Sequence, residues 1–496
     1  MSTSAPSVRH LTSGRWGRPE GNGAPPYPAR TRHESAGSRP STSDGEPALL
    51  SGWGRTAPTL ATLHRPADAD EVAAILGHGG ARGAIARGLG RCYGDAAQNA
   101  GGQVLSLTGL RAVRSFDVAS GLITVGAGLS IAELVRLTLP FGWFPPVLPG
   151  TSQVTIGGAI AADVHGKNHH REGSFCDHVR DLELVTPGGG RRTVTPEREP
   201  EAFAATAGGM GLTGAVVEAT IKLIPAQTDR VRVDIERARD LDDALDRMER
   251  GDEGYRYSVA WIDCLARGRG LGRSVLMRGD HATREELPSG EREAAPGFAP
   301  PRVLSAPHGV PSGLLSAPAV RAFNEVYFRR APRLEHGRLE PLHTFFNPLD
   351  GVRDWNRLYG PRGLLQYQLV VPFGAETALR TVLERLSGER RPAFLAVLKR
   401  FGAGRGLLSF PMPGWTLAVD LPAGRVELAP FLDELDELVA GAGGRVYLAK
   451  DSRLRPELLE RMYPQLERWS ELRVRLDPEG SLRSDLARRL DLVSGR

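Results

Sequence analysis

Between Leu148 and His170 the chain reads LPGTSQVTIGGAIAADVHGKNHH, and this stretch narrows what the chain can build more than any other. Gly157 and Gly158 let backbone approach a ligand closely. Small residues continue through Ala162, so no bulky side chain fills the adjacent space. His165, Lys167, His169 and His170 then arrive together, and Gly166 argues that they sit on a loop. Clustered histidines can bind zinc, yet no His-x-x-x-His helix with a partner carboxylate is evident. A histidine and a lysine beside a small-residue channel suit a redox or acid–base site better.

Composition supports the same direction. At 496 residues the chain exceeds one typical domain, so two packed domains plus a tail are expected. Net charge is +5 without a block of like charges, which gives little support to nucleic-acid binding. A basic face for phosphate-bearing substrates or anionic lipid fits the balance equally well. Cys92, Cys176 and Cys264 build neither a disulfide framework nor a zinc site. No apolar run approaches the ~20 residues of a spanning helix. The N-terminus lacks an apolar signal core and a twin-arginine pair, so the chain reads as soluble. Of 63 Lys and Arg residues only four are lysines: Lys167, Lys222, Lys399 and Lys450. Arginine is planar and permanently charged, whereas a lysine pKa moves readily on burial. Three of the four fall in chemically suggestive segments, and Lys222 sits on an ordinary strand.

Residues 1–50 are rich in Ser, Pro, Gly and Arg and read as a disordered extension, with folded sequence from Trp53. Asp70 is placed to cap a helix carrying Val72, Ile75 and Leu76. A strand at 83–86 leads into the loop Gly88-Leu89-Gly90-Arg91-Cys92-Tyr93-Gly94-Asp95. Ser130 and Glu133 form a capping box for the next helix. Residues 182–185 and 192–194 flank a Pro-Gly-Gly-Gly turn as a hairpin. Short strands mixed with short helices predict an α+β fold without regular βαβ succession. From about 228 the texture changes. A helix at 241–248, a strand at 257–262 carrying Trp261, and a long mobile loop at 285–318 are followed by strands at 365–371, 394–399 and 415–421. Helix returns at 430–439, with Pro430 at the first helical position, and again after Asp451.

The glycine loop fails the dinucleotide spacing, because its third glycine falls at 94, one place late for G-x-G-x-x-G. It remains a tight loop whose backbone N–H groups can cradle a pyrophosphate, and it also suits an ordinary turn. Strand alternation puts Gln366 and Gln368 on one face, and likewise Thr416, Ala418 and Asp420. Adjacent, these strands make a polar wall able to bind sugar hydroxyls. A solvent-facing side of a sheet has the same pattern. Lys399 and Lys450 each close a strand-like segment near these walls, which favours the binding wall.

Together these segments resemble one family, the flavin-dependent decaprenylphosphoryl-β-D-ribose 2-oxidases of actinobacterial cell-wall synthesis, within the vanillyl-alcohol-oxidase-like FAD superfamily. The likeness runs from about residue 53 to the C-terminus. It is carried by GLGRCYGDAAQN, PVLPGTSQVTIGGAIAADVHGKNHH, GSFCDHVRDLELVTPGG, GLTGAVVEATI, GPRGLLQYQLVVP, LSFPMPGWTLAVD, YLAKDSR and SDLARRLDL. The resemblance implies an FAD-binding domain of the PCMH/VAO type over 51–227, a substrate domain on an antiparallel sheet over 228–443, and a C-terminal segment, 444–496, that returns to the FAD domain. It places the cofactor pyrophosphate on Gly88 to Asp95, with Tyr93 near the flavin. Gly150, Thr155, Gly157, Gly158, Ala162, His165, Val216 and Tyr447 complete the cofactor site. Arg91 aligns with the histidine that covalently flavinylated relatives use, so non-covalent FAD is implied. Lys450 matches the family's essential lysine. Lys167, Trp261, Phe328, Gln366, Gln368, Lys399, Thr416 and Ala418 match substrate-pocket positions. Ala418 stands where many members carry a cysteine facing the flavin, Thr416 where they have Asn, and Phe328 where they have Tyr.

The implied activity is FAD-dependent oxidation of the 2-hydroxyl of a polyprenyl-phosphoryl ribose to a ketone. An ammonium at Lys450 would stabilise negative charge that develops on the flavin only as the reaction proceeds. His165 would position or deprotonate the hydroxyl. The family works with an NAD(P)H-dependent short-chain reductase that completes epimerisation to arabinose for wall arabinan. A quinone-type electron acceptor and a peripheral place at the plasma membrane follow from the lipid substrate, with the cytoplasmic and periplasmic faces both open. The nearest rival is a soluble sugar or alditol oxidase of the same superfamily that reduces oxygen. A non-catalytic flavin-binding protein is a further alternative, which the presence of Lys450 and His165 disfavours.

Overall fold

The longest alternating strands of the chain gather in one antiparallel sheet. The computed structural model describes residues 45–298, 304–307, 309–311 and 315–493. Within them an eight-stranded sheet runs in the order Leu334–Pro341, Arg230–Ala238, Ser274–His281, Tyr257–Ile262, Ala396–Phe401, Gly414–Pro422, Leu364–Pro372 and Arg445–Val446. The pairing of Leu364–Pro372 with Gly414–Pro422 sets Gln366 opposite Asp420 and Gln368 opposite Ala418.

One face of this sheet is covered by helices. Helix Glu376–Gly388 buries Leu379, Val382, Leu383 and Leu386, an i, i+3, i+4, i+7 stripe. Trp415 donates its indole N–H to Glu376 of that helix at 3.0 Å. Each such leucine removed from water contributes about 1.5–3 kcal/mol. With Trp415, Leu417 and Val419 turned to the helices, the intervening Ala418 faces the opposite side, and Gln366 and Gln368 turn the same way, toward the interior cavity.

Two smaller sheets precede it. Glu46–Leu50, Thr59–His64, Gln103–Ser106 and Ala84–Arg87 form a mixed sheet, its last two pairings parallel. Val113–Asp117, Leu122–Gly126, Ala215–Lys222, Val179–Val185 and Arg191–Val194 form an antiparallel sheet. Ser130 and Glu133 close the capping box on helix Ile131–Thr138, whose Ile131, Leu134 and Val135 are fully buried. The end of the chain returns to the first sheet. Leu482 bridges Ala84, Asp485 accepts from the Ala100 N–H at 2.9 Å, and Arg489 grips Asp95.

Several sequence expectations need correcting. The extension expected over 1–50 ends sooner, because Glu46–Leu50 is a strand paired with Thr59–His64. It is an edge strand with mostly exposed side chains, so its sequence carries no apolar alternation. Residues 1–44 lie outside the described residues. Asp68, not Asp70, caps helix Ala69–Gly77, its carboxylate accepting from the N–H groups of Asp70 and Glu71. Pro430 is the third residue of helix Leu428–Gly441, where a missing N–H is still tolerated. The loop expected over 285–318 contains the short strand Leu304–Ser305, paired with Val352–Arg353, and the start of helix Ala317–Arg330. Its residues 299–303, 308 and 312–314 lie outside the described residues. The large sheet continues to Val446, past the edge expected at 443.

Candidate active site

A cavity of about 370 Å³ lies between the glycine loop, the 155–162 segment and the polar face of the large sheet. One wall is backbone and small side chains. Gly88, Leu89, Gly90, Arg91, Cys92 and Tyr93 line it, as do Gly150, Thr155, Gly157, Gly158, Ala162 and Val216. Thr155 caps helix Ile156–Ala161, its hydroxyl accepting from the Gly158 N–H at 3.2 Å. Gly90 has φ +66°, and a Cβ there would lie 2.3 Å from the Arg87 guanidinium. Arg87 is itself fixed by donating to the carbonyls of Ala97 and Ser51, at 2.8 and 2.7 Å. A Cβ on Gly88 would lie 2.2 Å from Thr155 Oγ1, so the loop and the helix start meet through the missing side chain.

Tyr93 closes the first stretch of this wall. Its N–H donates to the Ala449 carbonyl at 3.0 Å, and its ring lies 4.1 Å beneath Lys450 Nζ. Gly94 and Asp95, expected in the cofactor site, do not line the cavity. The chain leaves the lining for these two residues, with Gly94 packed against the Asp451 carbonyl and Asp95 accepting from Arg489 at 2.9 and 3.0 Å, and rejoins it at Ala96 and Ala97. Arg91 stacks over Trp53, 4.0 Å from the ring centre. Tyr447 donates to the Ala162 carbonyl at 2.7 Å, clamping the end of the small-residue segment.

The facing wall is polar. Gln366 donates to Asp420 at 2.5 Å and to the Tyr93 hydroxyl at 3.2 Å. Gln368 reaches His165 Nε2 at 2.9 Å. Three of the four lysines meet here: Lys167, Lys399 and Lys450. Lys167 donates to the Phe345 carbonyl and lies 4.2 Å over that ring. Burial and then Lys399 push its pKa down to about 7. Burial and then Lys450 push Lys399 down to about 8. Lys450 is lowered by burial and held up by Asp420, while Asp420 is raised by burial and held down by Gln366 and Lys450. His165 is kept neutral by burial, with Lys399, His169 and Lys450 adding to the effect. Lys222, by contrast, donates to Ser120 against Trp143, outside the cavity lining.

Trp261 and Ala418 line the cavity, whereas Phe328 and Thr416 do not. The Phe328 ring lies between the guanidinium groups of Arg273 and Arg237, at 4.8 and 5.2 Å. One residue earlier in the helix, Tyr327 faces the cavity with its ring 4.7 Å from that of Trp261. Thr416 lies behind the wall and donates to the Leu369 carbonyl at 2.8 Å. Phe346, Leu349 and Trp355 also line the cavity and are absent from the sequence-based set. Asp420, expected in the polar wall, does not line the cavity and instead accepts from Gln366. His169 and His170 are committed elsewhere, to Gly402 and Ser174 and to the carbonyls of Asp252 and Tyr255.

The FAD binding domain family matches residues 61–195, and the D-arabinono-1,4-lactone oxidase family matches residues 419–490. The chain is 41% identical over 450 residues to decaprenylphosphoryl-β-D-ribose oxidase of Mycolicibacterium smegmatis, covering 90% of this chain and 97% of that protein. It is 30% identical over 169 residues to alditol oxidase of a Streptomyces species, covering 34% and 40% respectively. The 61–195 match contains most of the glycine-lined wall, where Cβ atoms at Gly88 and Gly90 would collide with Thr155 and Arg87, and such a small-residue wall fits an extended flat cofactor. The fold, the small-residue wall and the extent of this likeness place the chain in the decaprenylphosphoryl-β-D-ribose oxidase family of FAD-dependent oxidoreductases.

Proposed function

We propose that this enzyme oxidises the 2-hydroxyl of a polyprenyl-phosphoryl ribose to the 2-keto sugar. The observation that carries the reading is the meeting of three lysines, Lys167, Lys399 and Lys450, in the lining of one cavity that no carboxylate lines among the described residues. Such a surplus of buried cations suits a phosphorylated ligand better than a neutral alditol. Trp261, Tyr327, Phe346 and Leu349 give the prenyl end an apolar wall.

FAD, when bound, supplies the two-electron acceptor for the alcohol. Gly88 to Tyr93, Gly150, Thr155 to Gly158, Ala162, Val216 and Tyr447 are the residues that would hold it. Arg91, stacked on Trp53, stands where covalently flavinylated relatives carry a histidine and offers no nucleophile there, which supports non-covalent attachment. Lys450 has no hydrogen-bonding partner for its ammonium among the described residues. It is free to stabilise negative charge that develops during oxidation, a contribution of about 10²–10³ in rate for one well-placed donor. Lys167 and Lys399 bind the phosphate, and Gln366 and Gln368 hold ribose hydroxyls.

The ketone made here is the substrate of an NAD(P)H-dependent short-chain reductase, which returns it as the arabinose epimer for arabinan synthesis. Electrons leave to a quinone-type acceptor. No helix among the described residues is long and apolar enough to cross a membrane, and the lipid substrate assigns a peripheral place at the plasma membrane. Mass analysis of the product tests the reading: a species two hydrogens lighter than polyprenyl-phosphoryl ribose is expected. Peroxide release with a simple alditol, and no such product, would favour the alditol oxidase reading instead.

A further inference from the structure

Thr416 is fully buried behind the cavity wall. Its hydroxyl oxygen lies 2.8 Å from the Leu369 carbonyl, which can only accept, so its single proton is committed there. The side-chain amide of Gln368 faces the same hydroxyl at 3.3 Å. With its proton committed, that hydroxyl can only accept. The amide atom facing it is therefore the nitrogen, and this orients the whole amide. The same nitrogen lies 2.9 Å from His165 Nε2. An NH₂ group only donates, so Nε2 is the unprotonated ring nitrogen. In the neutral ring the proton is then on Nδ1. His165 Nδ1 is buried and has no hydrogen-bond partner among the described residues, and the residue lines the cavity.

We propose that Thr416, acting through Gln368, fixes His165 in the Nδ1-protonated tautomer, so that His165 donates a hydrogen bond to a ligand oxygen and is not the base that takes its proton. Thr416 is thus a positioning residue, removed from the cavity but decisive for what the histidine offers. The role toward a sugar hydroxyl rests on the function proposed above; the tautomer does not. A valine at 416 keeps the shape and removes the acceptor, which frees the amide to turn its oxygen toward Nε2 and draw the proton there.

The test is ¹⁵N NMR of histidine-labelled, FAD-loaded enzyme, with His165 assigned by comparison with His165→Gln. A pyrrole-like Nδ1 and a pyridine-like Nε2 are expected at neutral pH. In Thr416→Val the two signals exchange and the anaerobic rate of flavin reduction falls about tenfold or more with an unchanged flavin spectrum. Thr416→Ser, which keeps the hydroxyl, restores both. A protonated Nε2 in the unmodified enzyme overturns the proposal whether or not the variants fold. An exchanged tautomer at unchanged rate overturns the role given to Nδ1. If the tautomer is as stated but polyprenyl-phosphoryl ribose does not reduce the flavin, the proposed function fails and the Thr416–Gln368–His165 relay stands.

Discussion

One wall of the cavity, residues 88–93 and 155–162, meets its ligand with backbone and small side chains. The opposite wall, built from the antiparallel sheet (Gln366, Gln368, Lys399) and the segments beside it (His165, Lys167, Lys450), offers lysine, glutamine and histidine. The first is fixed by contacts that leave no room for a single Cβ, as at Gly88 and Gly90. The second is fixed by hydrogen bonds and by charges whose protonation is set by burial. A change in the first wall should act on occupancy as a whole. A change in the second should be graded and dependent on pH.

The largest effect is expected from Gly88→Val, which drives carbon into Thr155 Oγ1 at the junction of the loop and the helix start. Purified protein should lack flavin absorption bands, and a normally loaded variant would break the account of this wall. Next is Lys450→Ala. It should keep its FAD spectrum and lose about 10²–10³ in the rate of anaerobic reduction by substrate, read by stopped flow. Loss of FAD together with rate would blur the division between the walls.

A smaller, graded effect is expected from pH. Lys167 and Lys399 have pKa values pushed down to about 7 and about 8 in the free cavity. An anionic ligand favours their protonated forms, so substrate affinity should fall as pH rises through this range. At pH 8 binding should take up protons, measurable by calorimetry in two buffers of different ionisation enthalpy. Lys399→Gln should weaken binding by about tenfold and flatten the profile. Stability should move the other way. The unfolded chain holds its lysine protons to about 10.4, so above these lowered pKa values it binds more protons than the fold does. The stability of the ligand-free protein from these groups therefore rises with pH from about 7 upward.

The smallest effect is expected from Ala418→Cys, at a position that lines the cavity without a hydrogen-bonding role. Turnover should change by less than about twofold, because the proposed oxidation gives this side chain no chemical step. The natural chain should form no adduct with thiol-directed inhibitors, because burial raises the pKa of the cavity's other thiol, Cys92. Mass spectrometry of the two proteins after treatment checks this, with an adduct on the unsubstituted enzyme as the contrary result.

The two walls also differ in how far the sequence discloses them. Period-two alternation places Gln366, Gln368 and Ala418 on one face, and the observed register brings those strands together. Asp420 shares that alternation but does not line the cavity, its carboxylate accepting from Gln366. Helix Ala317–Arg330 is harder, because neighbouring residues point about 100° apart. Whether Phe328 or Tyr327 enters the cavity depends on how the helix packs on Trp261, which no local pattern states. Thr416 has the correct face by alternation yet lies behind the wall, since its hydroxyl finds the Leu369 carbonyl. The glycine loop marks its own presence but not its end. Only the distant Asp451 and Arg489 reveal that Gly94 and Asp95 turn out of the lining. Strand Glu46–Leu50 is hidden for a related reason, since an exposed edge needs no apolar pattern.

The central claim is that both walls serve one reaction, oxidation of a phosphorylated lipid sugar on FAD. It is tested most directly by adding polyprenyl-phosphoryl ribose to the purified flavoprotein without air and following its visible spectrum. Bleaching of the flavin bands is expected, slowed by about 10²–10³ in Lys450→Ala. Bands that persist with this substrate but bleach with a neutral alditol would contradict it.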